Sequence, residues 1–131
     1  MTGGEKKILL VDDNASYAEI LSMNLESAGY RVQVVEDGLE ALNRARQMHP
    51  DLILLDLMLP HLNGHKVCKL LKMDKTLQSI PVIMITSRDT REDRTVALQA
   101  GADGFLAKPV DSENVLHTLS RYLAPSEPDN T

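Results

Sequence analysis

The sequence predicts an α/β fold: five consecutive βα units that form a doubly wound, three-layer sandwich, with a parallel five-stranded sheet between helices on both faces. Three observations carry that expectation. Short apolar runs alternate strictly with segments of helical spacing. The runs "ILLV", "LILL" and "VIMI" contain no polar residue, as strands covered on both faces require. At 131 residues the chain suits one domain, large enough to bury roughly two thirds of the surface its unfolded form exposes. Repeated βα units connect by right-handed crossovers, which bring helices to both sides of the sheet.

The elements follow in order. Lys7 to Val11 ("KILLV") has strand length, and Asn14 to Ala28 has helical spacing, with Asn14 able to cap it and Gly29 following as the residue after its last turn. Arg31 to Val35 ("RVQVV") alternates polar and apolar residues, which places it nearer an edge of the sheet. A helix over Gly38 to Met48 leads to the strand Leu52 to Leu55, and a helix over Gly64 to Asp74 leads to the strand Val82 to Ile85. Thr90 to Ala100 is helical and ends at Gly101; "GFLA", Gly104 to Ala107, is the last strand. Asp111 caps the last helix, to Leu123, where "DSEN" offers acidic groups to the positive end of its dipole.

Composition excludes several classes. Hydrophobic residues make up 43% and charged residues 25%, ordinary for a globular protein, while the aromatic share of 3% makes the core aliphatic. A net charge of -5 argues against direct nucleic-acid binding or an anionic membrane surface, which need a basic face. A single cysteine, Cys68, forms no internal disulfide and no zinc site; it reads as a small hydrophobe on a helix. No targeting or membrane-spanning segment is seen, so a cytoplasmic location is expected. "APSEPDNT" closes the chain as a frayed tail or the start of a linker, which gives a domain over 1–124 and a flexible tail over 125–131. His49, His61, His65 and His117 lie away from the strand ends and are expected on the surface; Met23, Met48, Met73 and Met84 are scattered core or helix residues.

The chemistry begins with "LILLDLMLP", in which an apolar strand stops on a carboxylate, Asp56. A buried charge is costly unless it is paired or holds a metal. In an open parallel sheet, functional groups gather in the crevice beyond the carboxyl ends of the strands. Asp12 and Asp13 close the first apolar run, Asp56 the third, Thr86 and Ser87 the fourth, and Lys108 the fifth, so all of them are expected at one edge. Three crowded carboxylates repel one another unless a cation sits among them. Lys108 helps, and an oxygen-rich set with open positions suits Mg²⁺.

The set "VDDN", "LLDLMLP", "MITS" and "LAKPV", in this order and spacing from about Lys6 to Leu123, resembles the receiver domains of two-component response regulators. That resemblance implies a flavodoxin-like sheet of strand order 2-1-3-4-5. It implies that Asp56 accepts a phosphoryl group from a histidine kinase or a histidine phosphotransfer protein, and that the chain is no enzyme beyond its own phosphorylation and dephosphorylation. It further implies that Asp13 binds Mg²⁺ directly and Asp12 mainly through water, with the backbone carbonyl of Met58 completing the protein ligands alongside Asp56. Lys108 and the metal would offset phosphoryl charge. Thr86 and Phe105 would form the switch that alters the face from Thr90 to Leu123 and so controls an unidentified output protein or domain, with phosphorylation-dependent dimerisation as one form of output. The peptide between Lys108 and Pro109 is expected to be cis.

Departures from the commonest family pattern are Ser87, often alanine, and Phe105, often tyrosine. Met58 and Arg88 flank the route of an attacking water and are expected to slow hydrolysis. Three rival readings remain open. A haloacid-dehalogenase-like Mg²⁺ phosphatase needs an acid/base Asp where Met58 stands, a flavodoxin-like carrier needs a phosphate-cradling loop after the first strand, and a degenerate receiver would bind partners without phosphorylation.

Overall fold

The computed structural model describes residues 5–87, 90–108 and 111–123. Arg88, Pro109 with its preceding peptide bond, and the tail over 125–131 lie outside the described residues. Five strands run in chain order as β1 (Lys7–Val11), β2 (Arg31–Val35), β3 (Leu52–Asp56), β4 (Val82–Thr86) and β5 (Gly104–Ala107). They alternate with α1 (Ala15–Ser27), α2 (Gly38–Met48), α3 (Gly64–Met73), α4 (Arg91–Gln99) and α5 (Ser112–Tyr122). All neighbouring strands are parallel, in the order β2-β1-β3-β4-β5.

Burial follows the sequence pattern. The runs without polar residues are the three inner strands, whose residues from Ile8, Leu52 and Val82 onward are buried, whereas β2 keeps Arg31 and Gln33 exposed at one edge. Because successive strand residues face opposite sides, the core divides in two. Leu9, Val11, Ile53, Leu55, Val82 and Met84 pack with Ala41, Leu42 and Ala45 of α2, Val67, Cys68 and Leu71 of α3, and Ala97 of α4. Ile8, Leu10, Leu52, Leu54, Ile83 and Ile85 pack with Ala18, Leu21 and Leu25 of α1 and Val115 and Leu119 of α5. The helix after β1 therefore covers one face and the helix after β3 the other. That divergence opens a crevice between the carboxyl ends of β1 and β3.

The helix punctuation is as expected, with the caps lying just outside the helices they start. Asn14 accepts from the Tyr17 N–H and Asp111 from the Asn114 N–H. Gly29 and Gly101 have φ of 101° and 100°, the left-handed conformation that releases a chain from a helix at least cost to glycine. Two strands run one residue further than the apolar runs indicate: Asp56 and Thr86 are the last residues of β3 and β4. Cys68 is fully buried, its thiol 3.5 Å from the Ala100 carbonyl oxygen, and burial pushes its pKa up to about 11, so it packs as a hydrophobe.

Candidate functional site

Four loops bring the site together at the carboxyl ends of β1, β3, β4 and β5. After β1 the chain turns at once: the Asp12 N–H donates to the Val35 carbonyl at 3.0 Å, and Asp12 Oδ1 accepts from the Asn14 N–H at 2.9 Å. Asp12 is wholly buried while Asp13 is exposed. After β3, Asp56 Oδ1 accepts from the Met58 N–H at 3.1 Å. The loop then folds back so that the Gly64 N–H donates to the Leu57 carbonyl at 2.9 Å. A Cβ at Gly64 would sit 2.8 Å from Leu57 Cα and against the Asp56 carbonyl oxygen. Only glycine lets the start of α3 approach the end of β3 this closely.

Lys108 arrives from β5. Its N–H donates to the Thr86 carbonyl at 2.7 Å, and its ammonium lies 2.7 Å from Asp12 Oδ2 and 3.5 Å from Asp56 Oδ2. One carboxylate oxygen each from Asp12, Asp13 and Asp56 falls within 4.8 Å of the others. The structure thus brings together the four charged residues expected at the strand ends.

Their electrostatics are opposed. Burial pushes the Asp56 carboxyl up to about 6, aided by the Asp12 and Asp13 charges and resisted by Lys108 and the Met58 N–H. Burial also works against the Lys108 charge, but its hydrogen bond to Asp12 and the nearby carboxylates outweigh that, and its pKa lies above the ordinary lysine value. Three acids against one ammonium leave excess negative charge in a partly desolvated crevice. The donors are all carboxylate oxygens, with no nitrogen or sulfur among them, which fits a hard divalent cation such as Mg²⁺.

The remaining expected residues surround this centre. Thr86 is fully buried at the end of β4, opposite Ala107. Phe105 pairs with Met84, two residues earlier, so Phe105 and Thr86 belong to the same face of the sheet. The Phe105 ring is half-buried and lies 4.8 Å from the Arg94 guanidinium. Ser87 is exposed, and Met58 is half exposed beside the site.

One expectation needs correction. His49, His61 and His117 are exposed, but His65 is half-buried in the first turn of α3, lining a cleft of about 280 Å³ with Met58, Asn63 and Asp93. The return of the loop onto β3 draws it inward, a contact that spacing along the helix does not encode.

Two features escaped the sequence reading. Tyr17 places its ring 4.4 Å from the Lys108 ammonium, and its signal was an aromatic in the first turn after the Asp pair, in a chain with three tyrosines and one phenylalanine. Thr90 and Asp93 form a reciprocal cap: the Asp93 N–H donates to Thr90 Oγ1 at 3.0 Å and Thr90 Oγ1 donates to Asp93 Oδ2 at 2.8 Å. A threonine followed three residues later by an acid was its visible signature.

A family model for the response regulator receiver domain matches residues 8–120. The chain belongs to the response regulator receiver domain family.

Relatives agree with this placement. The receiver is 43% identical over 117 residues to the DNA-binding dual master transcriptional regulator RpaA of Synechocystis sp., a match covering 89% of this chain and 48% of that protein. It is 43% identical over 122 residues to the alkaline phosphatase synthesis transcriptional regulatory protein PhoP of Bacillus subtilis, covering 93% and 50%. The chain spans about half the length of these relatives. Among solved structures, the chemotaxis response regulator CheY4 of Vibrio cholerae superposes with a TM-score of 0.86 at 34% identity, covering 91% of this chain and 99% of that one. The receiver domain of the sensor histidine kinase PA1611 from Pseudomonas aeruginosa, which has a magnesium ion coordinated in its active site cleft, gives 0.87 at 33%, covering 93% and 100%. Together with the strand order, these neighbours establish the flavodoxin-like fold.

Proposed function

We propose that this receiver is a phosphorylation-dependent switch of a two-component system, with Asp56 as its phosphoacceptor. The observation that carries the reading is the convergence of Asp12, Asp13 and Asp56 around one crevice, with the Lys108 ammonium 3.5 Å from Asp56. In the proposed step an Asp56 oxygen attacks phosphorus while the N–P bond breaks in a phosphohistidine that is protonated at its other ring nitrogen, leaving an acyl phosphate on Asp56 and a neutral imidazole on the kinase or phosphotransfer protein. Asp12, Asp13, Asp56 and the Met58 backbone carbonyl would hold Mg²⁺, which when bound offsets carboxylate and phosphoryl charge. Lys108 would neutralise a further phosphoryl oxygen, and no side chain need act as a strong base.

The buried Thr86 hydroxyl would then turn to the phosphoryl group and Phe105 would follow it inward, biasing the face made by α4, β5 and α5. That face would control an unidentified output protein or domain, or dimerise. RpaA is named as DNA-binding, but with a net charge of -5 this receiver would act through protein contact, and any nucleic-acid binding would belong to an output partner. The signalling unit would span 1–124, with 125–131 as a tail or linker, and would work in the cytoplasm; among the described residues no helix is long and apolar enough to cross a membrane.

A degenerate receiver that binds partners without phosphorylation is the second reading, and the complete acidic set weighs against it. A small Mg²⁺ phosphatase is disfavoured because Met58 stands where its acid/base group would be needed. Adding beryllofluoride and Mg²⁺ while recording amide NMR spectra separates them. A working receiver shifts resonances across Arg91–Gln99, Gly104–Ala107 and Ser112–Tyr122, and Asp56→Asn abolishes the shifts. Unchanged spectra for the parent protein would exclude the switch.

A further inference from the structure

We propose that Tyr17 is a positioning residue for Lys108, its ring face holding the ammonium where Asp12 and Asp56 are both within reach. The inference rests on the reading that Lys108 serves phosphoryl transfer to Asp56. A lysine ammonium is a point charge on a flexible four-carbon stem, with no geometry of its own to fix its direction. Here Asp12 lies at 2.7 Å and Asp56 at 3.5 Å, so the nearer carboxylate by itself would draw the ammonium away from the phosphoacceptor. The Tyr17 ring centroid lies 4.4 Å from Nζ, inside the roughly 6 Å range over which the negative ring face attracts a cation.

The ring is itself anchored. The Tyr17 N–H donates to Asn14 Oδ1 at 3.0 Å, and the side chain packs against the core cluster that includes Leu10, Ala18 and Leu21. The Lys108 side chain is only 14% exposed, so the attraction operates with little competition from water. A restraint of this kind acts on the phosphoryl-charge partner and leaves the three carboxylates as they are.

The test uses the full chain and acetyl phosphate as donor, so that kinase docking plays no part. Tyr17→Leu should slow phosphorylation about five- to twentyfold while Mg²⁺ affinity stays within about twofold, since every carboxylate is retained. Tyr17→Phe, which keeps the ring face, should rescue the rate. In a Lys108→Met background Tyr17→Leu should cause no further slowing, because the two side chains act as one unit. Should Tyr17→Leu fold poorly, Tyr17→Met takes its place. A parent-like rate in Tyr17→Leu, a Tyr17→Phe variant as slow as Tyr17→Leu, or undiminished slowing in the Lys108→Met background would overturn the proposal and leave the switch intact. A parent chain that accepts no phosphoryl group from acetyl phosphate and no beryllofluoride would remove both.

Discussion

Lys108 Nζ donates to Asp12 Oδ2 at 2.7 Å across ninety-six residues of sequence. The bond ties the end of the fifth strand to the end of the first, over the crevice that also holds Asp56, and it is the principal compensation for a wholly buried carboxylate. Removing one partner of a buried pair strands the other's charge, which costs far more than the pair contributes.

Lys108→Met should therefore destabilise the chelator-treated protein by about 2–4 kcal/mol. Urea unfolding with and without Mg²⁺ checks this. The deficit should shrink when the ion is added, and a loss below about 0.5 kcal/mol in chelator would mean that Asp12 is hydrated like an ordinary surface acid.

Asp56 behaves in the opposite sense. Its carboxyl is raised from 3.8 to about 6, chiefly by burial, so the folded chain binds that proton more tightly than the unfolded one. The resulting stability is fully present below the unfolded value of 3.8 and is lost as pH rises through about 6. In chelator, Asp56→Asn should match the parent near the lower end of that window and exceed its stability by on the order of 2 kcal/mol at neutral pH. Thermal unfolding across the range, repeated with Mg²⁺, reads the crossover. A parent as stable as the variant at neutral pH in chelator would contradict the raised pKa.

Gly64→Ala should be among the most damaging of small substitutions, since its Cβ would meet backbone at Leu57 and Asp56, which cannot move aside as a flexible side chain would. About 2–3 kcal/mol of destabilisation is expected, together with weaker Mg²⁺ binding, because α3 would be pushed off the strand that carries Asp56. Isothermal titration beside urea unfolding measures both, and wild-type values for each would show that the loop relaxes freely.

The chain's one phenylalanine, Phe105, is a ready reporter of the switch. Replacing it with 4-fluorophenylalanine gives a single ¹⁹F resonance, expected to move on addition of beryllofluoride and Mg²⁺ and to stay in place when Thr86 is changed to Ala. Movement in the Thr86→Ala variant would detach the ring from the threonine.

The order of elements, the edge position of Arg31–Val35 and the acidic set were legible in the sequence because each is a local or periodic property. Strands covered on both faces read as unbroken apolar runs, and carboxylates that end such runs must share one edge of a parallel sheet. The extra strand residues at Asp56 and Thr86 were not legible, since both are polar and only their backbone pairing continues the sheet.

Composition and periodicity thus determined an α/β chain with Asp12, Asp13, Asp56 and Lys108 at the strand ends, and the motifs at those ends carried the resemblance to receiver domains. Tertiary structure decided the rest: that Lys108 leans on Asp12 more closely than on Asp56, that Tyr17 forms a wall against its ammonium, and that His65 turns inward beside Met58. The physical reason is that hydrophobic periodicity specifies which face of an element is buried, whereas the direction of a polar side chain beyond a strand end depends on the loops and helices that close around it, which belong to distant parts of the chain.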